Sequence, residues 1–372
     1  MRIIVIGAGI LGASTAYRLA KAGADVIIAD RGDDGGATAA AAGIICPWIS
    51  QRRNKAWYNL AKKGAAYYPA LIDELAEDGE TDTGYDRVGA ISLHTDQGKI
   101  QKLKERAVER REDAPEIGQI QTLSPEEARE IYPLLNEEFC AVYISGAGRV
   151  NGRALRDALL NAAKKSGARV ISGTAELIKG TGAVTGIKTG TETIHADRVI
   201  SCGGAWSRDL LAPLGIQFKV SFQKAQIVHM KLADIQTSHW PVVMPPGSQY
   251  LLSLSDNRIV CGTTHEDTEI YDPMPTAGGV HEILSKAFMV APSLSNASLL
   301  EVRTGFRPYT PGFLPVIGHV PGWEGLIAGN GLGASGLTSG PYLGSQLADL
   351  ALGRKLDINL LDYNIENAIE TL

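Results

Sequence analysis

The sequence predicts an α/β protein in which a parallel-sheet domain is interleaved with an α+β domain built on an antiparallel sheet. Three observations carry that expectation. The chain opens MRIIVIGAGILGASTAYRLAKAGADVIIAD, which reads strand, glycine turn, helix and second strand. Two later stretches, ADRVISCGGAWS and LIAGNGLGASGLTSGPYLGSQLADLAL, return to the pattern of a buried strand followed by glycines. Between them IVHMKL, YLLSL and RIVCGTT are strand-like runs separated by Pro and Gly turns, as in an antiparallel sheet. A chain of 372 residues also exceeds what one average core fills.

The opening unit is the most specific. The apolar run Ile3–Ile6 leads into Gly7, Gly9 and Gly12, the G-x-G-x-x-G spacing of a Rossmann-type dinucleotide site. Gly7 permits the tight turn, Gly9 lets backbone N–H groups approach a pyrophosphate, and Gly12 lets the helix pack close to the strand. Ile10 and Leu11 then start a helix whose N-terminus faces the anion. Leu11, Ala16, Leu19 and Ala20 supply its apolar side, Gly23 stops it, and Asp25–Ala29 forms the second strand. Asp30 ends that strand, where an acid suits a ribose 2′-hydroxyl and disfavours a 2′-phosphate, with Arg31 beside it weakening the exclusion. The fingerprint reads adenosine diphosphate, so by itself it leaves NAD and FAD open.

Next comes DDGGATAAAAGIICPW. So many small residues let a backbone lie against a large flat cofactor, with Ala37, Thr38, Ala42, Gly43 and Ile44 against it. Helix-forming runs follow at Asn54–Leu75 and Gly98–Arg111, broken by the polar turn Glu77–Glu80. From Gly146 the pattern is a loop, a helix with Leu155, Leu159 and Ala162 on one face, a stop at Gly167, and a strand at Arg169–Ile171. Two β-rich runs, Val184–Lys188 and Glu192–His195, precede the buried strand Val199–Cys202, which ends on Gly203 and Gly204 with Trp206 just beyond.

In TGFRPYTPGFLPVIG, Pro308 biases Arg307 toward extended backbone, and the surrounding prolines and glycines predict a stiff loop. A guanidinium held there suits a carboxylate ligand, and a structural ion pair accounts for it equally well. In AGNGLGASGLTSG, Gly333, Ala334, Ser335 and Gly336 can present N–H groups to negative charge. Tyr250 is a candidate hydroxyl donor, and His265 is a weaker candidate.

Composition sets bounds. With 41 acids against 36 bases and no dense basic stripe, a nucleic-acid partner is not expected. No run of about 18 apolar residues is present, so nothing is expected to span a bilayer. A strand beginning at Arg2 leaves no room for a signal peptide, and the four cysteines lack a C-x-x-C pair. Both suggest the cytoplasm, with peripheral membrane contact left open. The seven histidines have no metal-type spacing, so no metal is expected. No nucleophile elbow or Walker A lysine argues for hydrolysis or phosphoryl transfer.

Taken together, VIGAGILGASTAYRLAKAG, GGATAAAAGIICP, RVNGRALRDAL, VISCGGAWS, TGFRPYTPGFLPVIG and AGNGLGASGLTSGP resemble the FAD-dependent D-amino-acid oxidase family, which includes glycine oxidase, sarcosine oxidase and D-amino-acid dehydrogenases. The resemblance covers nearly the whole chain. It implies FAD, bound by residues 1–50, 145–217 and 300–372, with residues 51–144 and 218–299 forming the substrate domain. It implies that Arg307, also counted among the cofactor-lining residues, pairs with a substrate carboxylate assisted by Tyr250. Ala37, Thr38, Gly43 and Ile44 match the stretch beside the isoalloxazine, and Leu332–Gly336 the loop at its pyrimidine edge. Trp206 falls near the phosphate arm, and Glu176 near adenine.

Two departures stand out: Asp30 replaces the usual glutamate, and the second arginine that glycine oxidase carries in the last glycine loop is missing, with Leu332 close to its position. With no cysteine near Arg307, the FAD is expected to be non-covalent. The implied activity is oxidation of a D-amino acid, glycine or an N-methyl amino acid by hydride transfer from its α-carbon to the flavin, giving an imine that hydrolyses. The alternatives are an FAD-binding subunit of a hetero-oligomeric amine or proline dehydrogenase and, further off, an NAD-dependent dehydrogenase. Oxygen, a quinone or a protein remain open as electron acceptor, as does an oligomeric state.

Overall fold

The apolar runs Ile3–Ile6 and Val26–Ala29 show no polar alternation, which suits strands covered on both faces. In the computed structural model, which describes residues 1–233 and 235–371, both are interior strands of a six-stranded sheet. Its order is Val316–His319, Leu326–Asn330, Arg198–Ser201, Arg2–Ile6, Asp25–Asp30 and Arg169–Ser172. All neighbours are parallel except the first pair. Of the two strands that the sequence returns to late in the chain, Arg198–Ser201 pairs with the opening one and Leu326–Asn330 pairs with Arg198–Ser201.

The helix Ile10–Lys21 covers one face of this sheet, with Ala13, Ala16, Tyr17 and Leu19 fully buried. It packs on the helices Gly152–Lys165 and Gly336–Ala351. Small residues permit the close approach, since a Cβ on Gly344 would lie 2.6 Å from that of Ser14. The helix ends as expected, with Gly23 in left-handed backbone just past its C-terminus.

The second sheet has nine strands. Along its main path run Glu266–Asp267, Ser221–Lys231, Arg258–Gly262, Tyr250–Ser253, Val242–Met244, Ala90–His94, Cys140–Ile144 and Ile120–Leu123, and Ser298–Tyr309 also pairs with Ser221–Lys231. It is antiparallel apart from one parallel pair, Val242–Met244 with Ala90–His94. Three of its strands come from the 51–144 segment, where the sequence displayed only helical runs. They are short and partly covered by the helices Gln97–Arg111 and Pro125–Ile131, so their pattern is faint. The helix Lys55–Glu77 packs on Gly336–Ala351 and shares the core of the first sheet.

One expectation is corrected. Arg307 and Pro308 lie not on a loop but near the end of the twelve-residue strand Ser298–Tyr309, paired from Ser298 with Lys231 through to Tyr309 with Ser221. Pro308 is tolerated because the strand has a ladder partner on one side only, apart from a single bridge from Phe306 to Gly36. The extended backbone anticipated for Arg307 is present, but the ladder holds it. The strand straddles residue 300 and carries Arg307 into the second sheet. Among the described residues no helix is long and apolar enough to cross a membrane.

Candidate active site

A single cavity of about 1820 Å³ is lined from both sheets. Small-molecule pockets usually measure roughly 300–1,000 Å³. This one has room for an extended dinucleotide and a second small molecule. All of the sequence-predicted site residues except Gly12 line it.

At one end the glycine turn follows the opening strand. Gly7 has φ +99° and donates to the Ala29 carbonyl at 2.8 Å, and a Cβ on it would lie 2.5 Å from the Cys202 carbonyl oxygen. Gly12 is turned away from the cavity, its Cβ position only 1.8 Å from the Gly7 oxygen, so it serves helix packing alone. Gly9 faces open space, with only the Thr38 hydroxyl at 3.4 Å. That is the cradle a pyrophosphate requires.

Asp30 closes the turn by accepting from the Ala8 N–H at 2.6 Å and from the Gly32 N–H at 2.7 Å. Its carboxylate keeps lone pairs for ribose hydroxyls. Arg31 is diverted from it: its guanidinium pairs with Asp33 and lies 5.9 Å over the Trp206 ring, which removes much of the expected weakening. Trp206 in turn stacks on Tyr271 at 5.4 Å. Glu176 lies on the strand Ala175–Lys179 at the far end of this half, and Gly203 lines the cavity where the strand Arg198–Ser201 ends.

The small-residue segment is a one-turn helix, Ala37–Ala40, rather than a loop throughout. Thr38 uses its hydroxyl to cap the helix Ile10–Lys21, accepting from the Ile10 N–H at 2.9 Å, while still lining the cavity with Ala37, Ala42, Gly43 and Ile44. The last glycine loop, Leu332–Gly336, is fixed from a direction the sequence did not reveal, because Trp57 donates through Nε1 to Ser335 Oγ at 2.7 Å. Together the cradle, the acid, the flat alanine wall and the glycine loop fit an FAD.

At the other end Arg307 is half-buried, and burial holds its pKa below the ordinary value. Among the described residues no carboxylate or carbonyl accepts from it. Its charge-coupled neighbours are Tyr250 and His265. Arg149 shows the contrast: its side chain is 2% exposed, it pairs with Asp86 at 3.0 Å, and it donates to the carbonyls of Ser238 and Ser253. A structural arginine in this protein is satisfied, and Arg307 is not. An unsatisfied guanidinium on a cavity wall is an anion receptor.

Tyr250 crosses the neighbouring strand because Gly262, its register partner, has no side chain; a Cβ there would lie 2.2 Å from the phenol oxygen. Burial raises the Tyr250 pKa, with Arg307 opposing, so the phenol stays a neutral donor. His265 stands exposed at the rim, its pKa lowered by desolvation and then by Arg307.

The sequence reading missed His94, Lys99, Lys102 and Arg106, which line the cavity from the strand Ala90–His94 and the helix Gln97–Arg111. The i, i+3, i+7 spacing of the three cations was the available signal.

Among known proteins, residues 2–350 match the DAO family, FAD dependent oxidoreductase. The chain is 58% identical over 367 residues to the uncharacterized oxidoreductase YurR of Bacillus subtilis, covering 98% of this chain and 99% of that one. The crystal structure of an iminodiacetate oxidase from Chelativorans sp. BNC1 superposes with a TM-score of 0.95 at 42% identity, covering 98% of both chains. That of a glycine oxidase from Geobacillus kaustophilus gives a TM-score of 0.87 at 29% identity, again over 98% of both.

Proposed function

The chain belongs to the DAO family of FAD-dependent oxidoreductases, and from that premise we propose that it oxidises a small amino acid at its α-carbon: a D-amino acid, glycine or an N-substituted glycine. The observation that carries this is the unpaired, half-buried Arg307 beside Tyr250, on the wall of the cavity that also contains the glycine cradle. The activities named for the similar glycine and iminodiacetate oxidases support the same substrate class.

The residues that would hold the FAD are Gly7, Gly9 and the first turn at Ile10 and Leu11 for the pyrophosphate, Asp30 for the ribose and Glu176 for the adenine end. Ala37, Thr38, Ala42, Gly43, Ile44 and Leu332–Gly336 would hold the ring system. Bound there, the flavin supplies a two-electron acceptor for the hydride that leaves the α-carbon.

The protein's own contribution is binding and orientation. Arg307 pairs with the carboxylate, and the neutral Tyr250 hydroxyl donates to it, which fixes the rotation of the α-carbon. Among the described residues no carboxylate lines the second-sheet half of the cavity, so the reactive form is the fraction of substrate whose amine is already neutral, and its lone pair assists hydride loss. The imine product hydrolyses to an oxo acid and an amine.

The test is anaerobic mixing of the FAD-loaded protein with glycine, sarcosine, iminodiacetate, D-amino acids and L-proline while following oxidised-flavin absorption. Bleaching by one class is expected. A yellow protein that none of these bleaches overturns the substrate assignment.

A further inference from the structure

We propose that the cavity contains a second anion subsite, formed by Lys99, Lys102 and Arg106 with His94 beside them, that takes an additional acidic group carried by the amino-acid substrate. This rests on the amino-acid reading above and narrows it to substrates with two acidic groups. The first observation is how charge is distributed around the cavity. Its carboxylates, Asp30, Asp33, Glu176 and Asp209, all belong to the nucleotide half. The charged groups on the second-sheet half are cationic: Lys99, Lys102, Arg106 and Arg307. One carboxylate on the substrate satisfies Arg307 and leaves the half-buried Arg106, with the exposed Lys99 and Lys102 beside it, without an anion.

The second observation is how the helix Gln97–Arg111 presents them. Ile100, Leu103 and Ala107 are its buried positions, docked against the second sheet. Lys99, Lys102 and Arg106 repeat that spacing one residue earlier, so they form a stripe along one side of the anchored face. Among the described residues none of the three has a carboxylate within ion-pair distance, whereas Lys62 reaches Asp113 at 2.6 Å and Lys21 reaches Asp78 at 2.8 Å. Arg106 is half-buried in that unpaired state.

His94 accepts from the Asp96 N–H through Nδ1 at 2.9 Å, which leaves its other ring nitrogen as the donor. The stripe is also continuous with the substrate wall. Ser92 pairs with Met244, and the chain from Met244 runs through Pro245–Gln249, all lining the cavity, to Tyr250.

The test uses the FAD-loaded protein and two pairs of probes. Diglycolate and methoxyacetate carry an ether oxygen in place of the amine, so they report binding without turnover through perturbation of the flavin spectrum. Diglycolate is expected to bind about tenfold or more tightly than methoxyacetate, the discrimination of one charge-assisted contact. The double variant Lys102→Gln/Arg106→Gln is expected to lose most of that ratio and to lower kcat/KM for iminodiacetate by about tenfold more than for sarcosine. A wild-type ratio near one, or a ratio that the double variant leaves intact, overturns the subsite. The wild-type measurement stands even where the variant fails to fold. If diglycolate is preferred but no amine bleaches the flavin, the subsite holds and the oxidation reading falls.

Discussion

Gly9 and Gly12 belong to one motif, yet their surroundings predict opposite consequences for the same added methyl. At Gly9 the backbone is ordinary, φ −67°, and the nearest atom to a new Cβ is the Thr38 hydroxyl at 3.4 Å. Gly9→Ala should leave the FAD-free protein within about 0.5 kcal/mol of wild type, because nothing must move. The methyl would instead occupy the surface a pyrophosphate must touch. Overpacking of that kind costs about 3 kcal/mol, roughly a hundredfold in Kd. With FAD at about 100 times the wild-type Kd, ligand stabilisation would fall from about 2.7 to about 0.4 kcal/mol.

At Gly12 the new Cβ would lie 1.8 Å from the Gly7 oxygen and 3.0 Å from the Gly7 carbonyl carbon, both backbone. The helix can relieve that only by withdrawing from the strand, so Gly12→Ala should destabilise the FAD-free protein by about 1–3 kcal/mol. The assay is urea unfolding of both variants without FAD, followed by an FAD titration read by flavin fluorescence. The reasoning is refuted if Gly9→Ala binds FAD within threefold of wild type, or if FAD-free Gly12→Ala is as stable as wild type.

Three further outcomes are expected. Arg307→Leu should raise KM for the bleaching amino acid and lower kcat/KM by roughly ten- to a hundredfold, the loss of a charge-assisted pair, while the FAD-free variant melts no lower than wild type because the lost charge had no partner; a lower melting temperature would show Arg307 to be structural. His229 is buried and its pKa is lowered to about 4 by desolvation, with Arg303, Arg258 and Arg153 adding and Glu301 opposing. The unfolded chain therefore binds more protons, so this stability is present above pH 6.5 and is lost as pH falls toward 4, to a total of about 3 kcal/mol; urea melts from pH 7 to 4.5 should be flatter for His229→Gln, and equal slopes would refute the assignment. Cys46 and Cys202 line the cavity, and burial pushes both thiols up to about 12, so neither is a nucleophile at neutral pH. Acid precipitation should then leave the flavin in the supernatant, whereas yellow retained in the pellet would establish a covalent link.

The sequence alone determined the features that local physics enforces. Glycine spacing selects the turn at Gly7 and the packing at Gly12, because only a missing Cβ allows those approaches. Apolar runs without alternation mark strands such as Asp25–Asp30 that are covered on both faces, and Gly23 ends a helix because left-handed backbone is cheap for it.

Tertiary structure decided whatever depends on partners remote in the chain. Arg307 is on a strand because the segment Ser221–Lys231 supplies its ladder, which no window around Pro308 reveals. Ala90–His94 is a strand because Cys140–Ile144 and Val242–Met244 flank it. Ser335 is fixed by Trp57, 278 residues away in the chain. Arg307 and Arg149 are alike in residue type, and only the assembled surroundings separate them: Arg149 is held by Asp86 and two carbonyls, and Arg307, among the described residues, donates to no carboxylate or carbonyl.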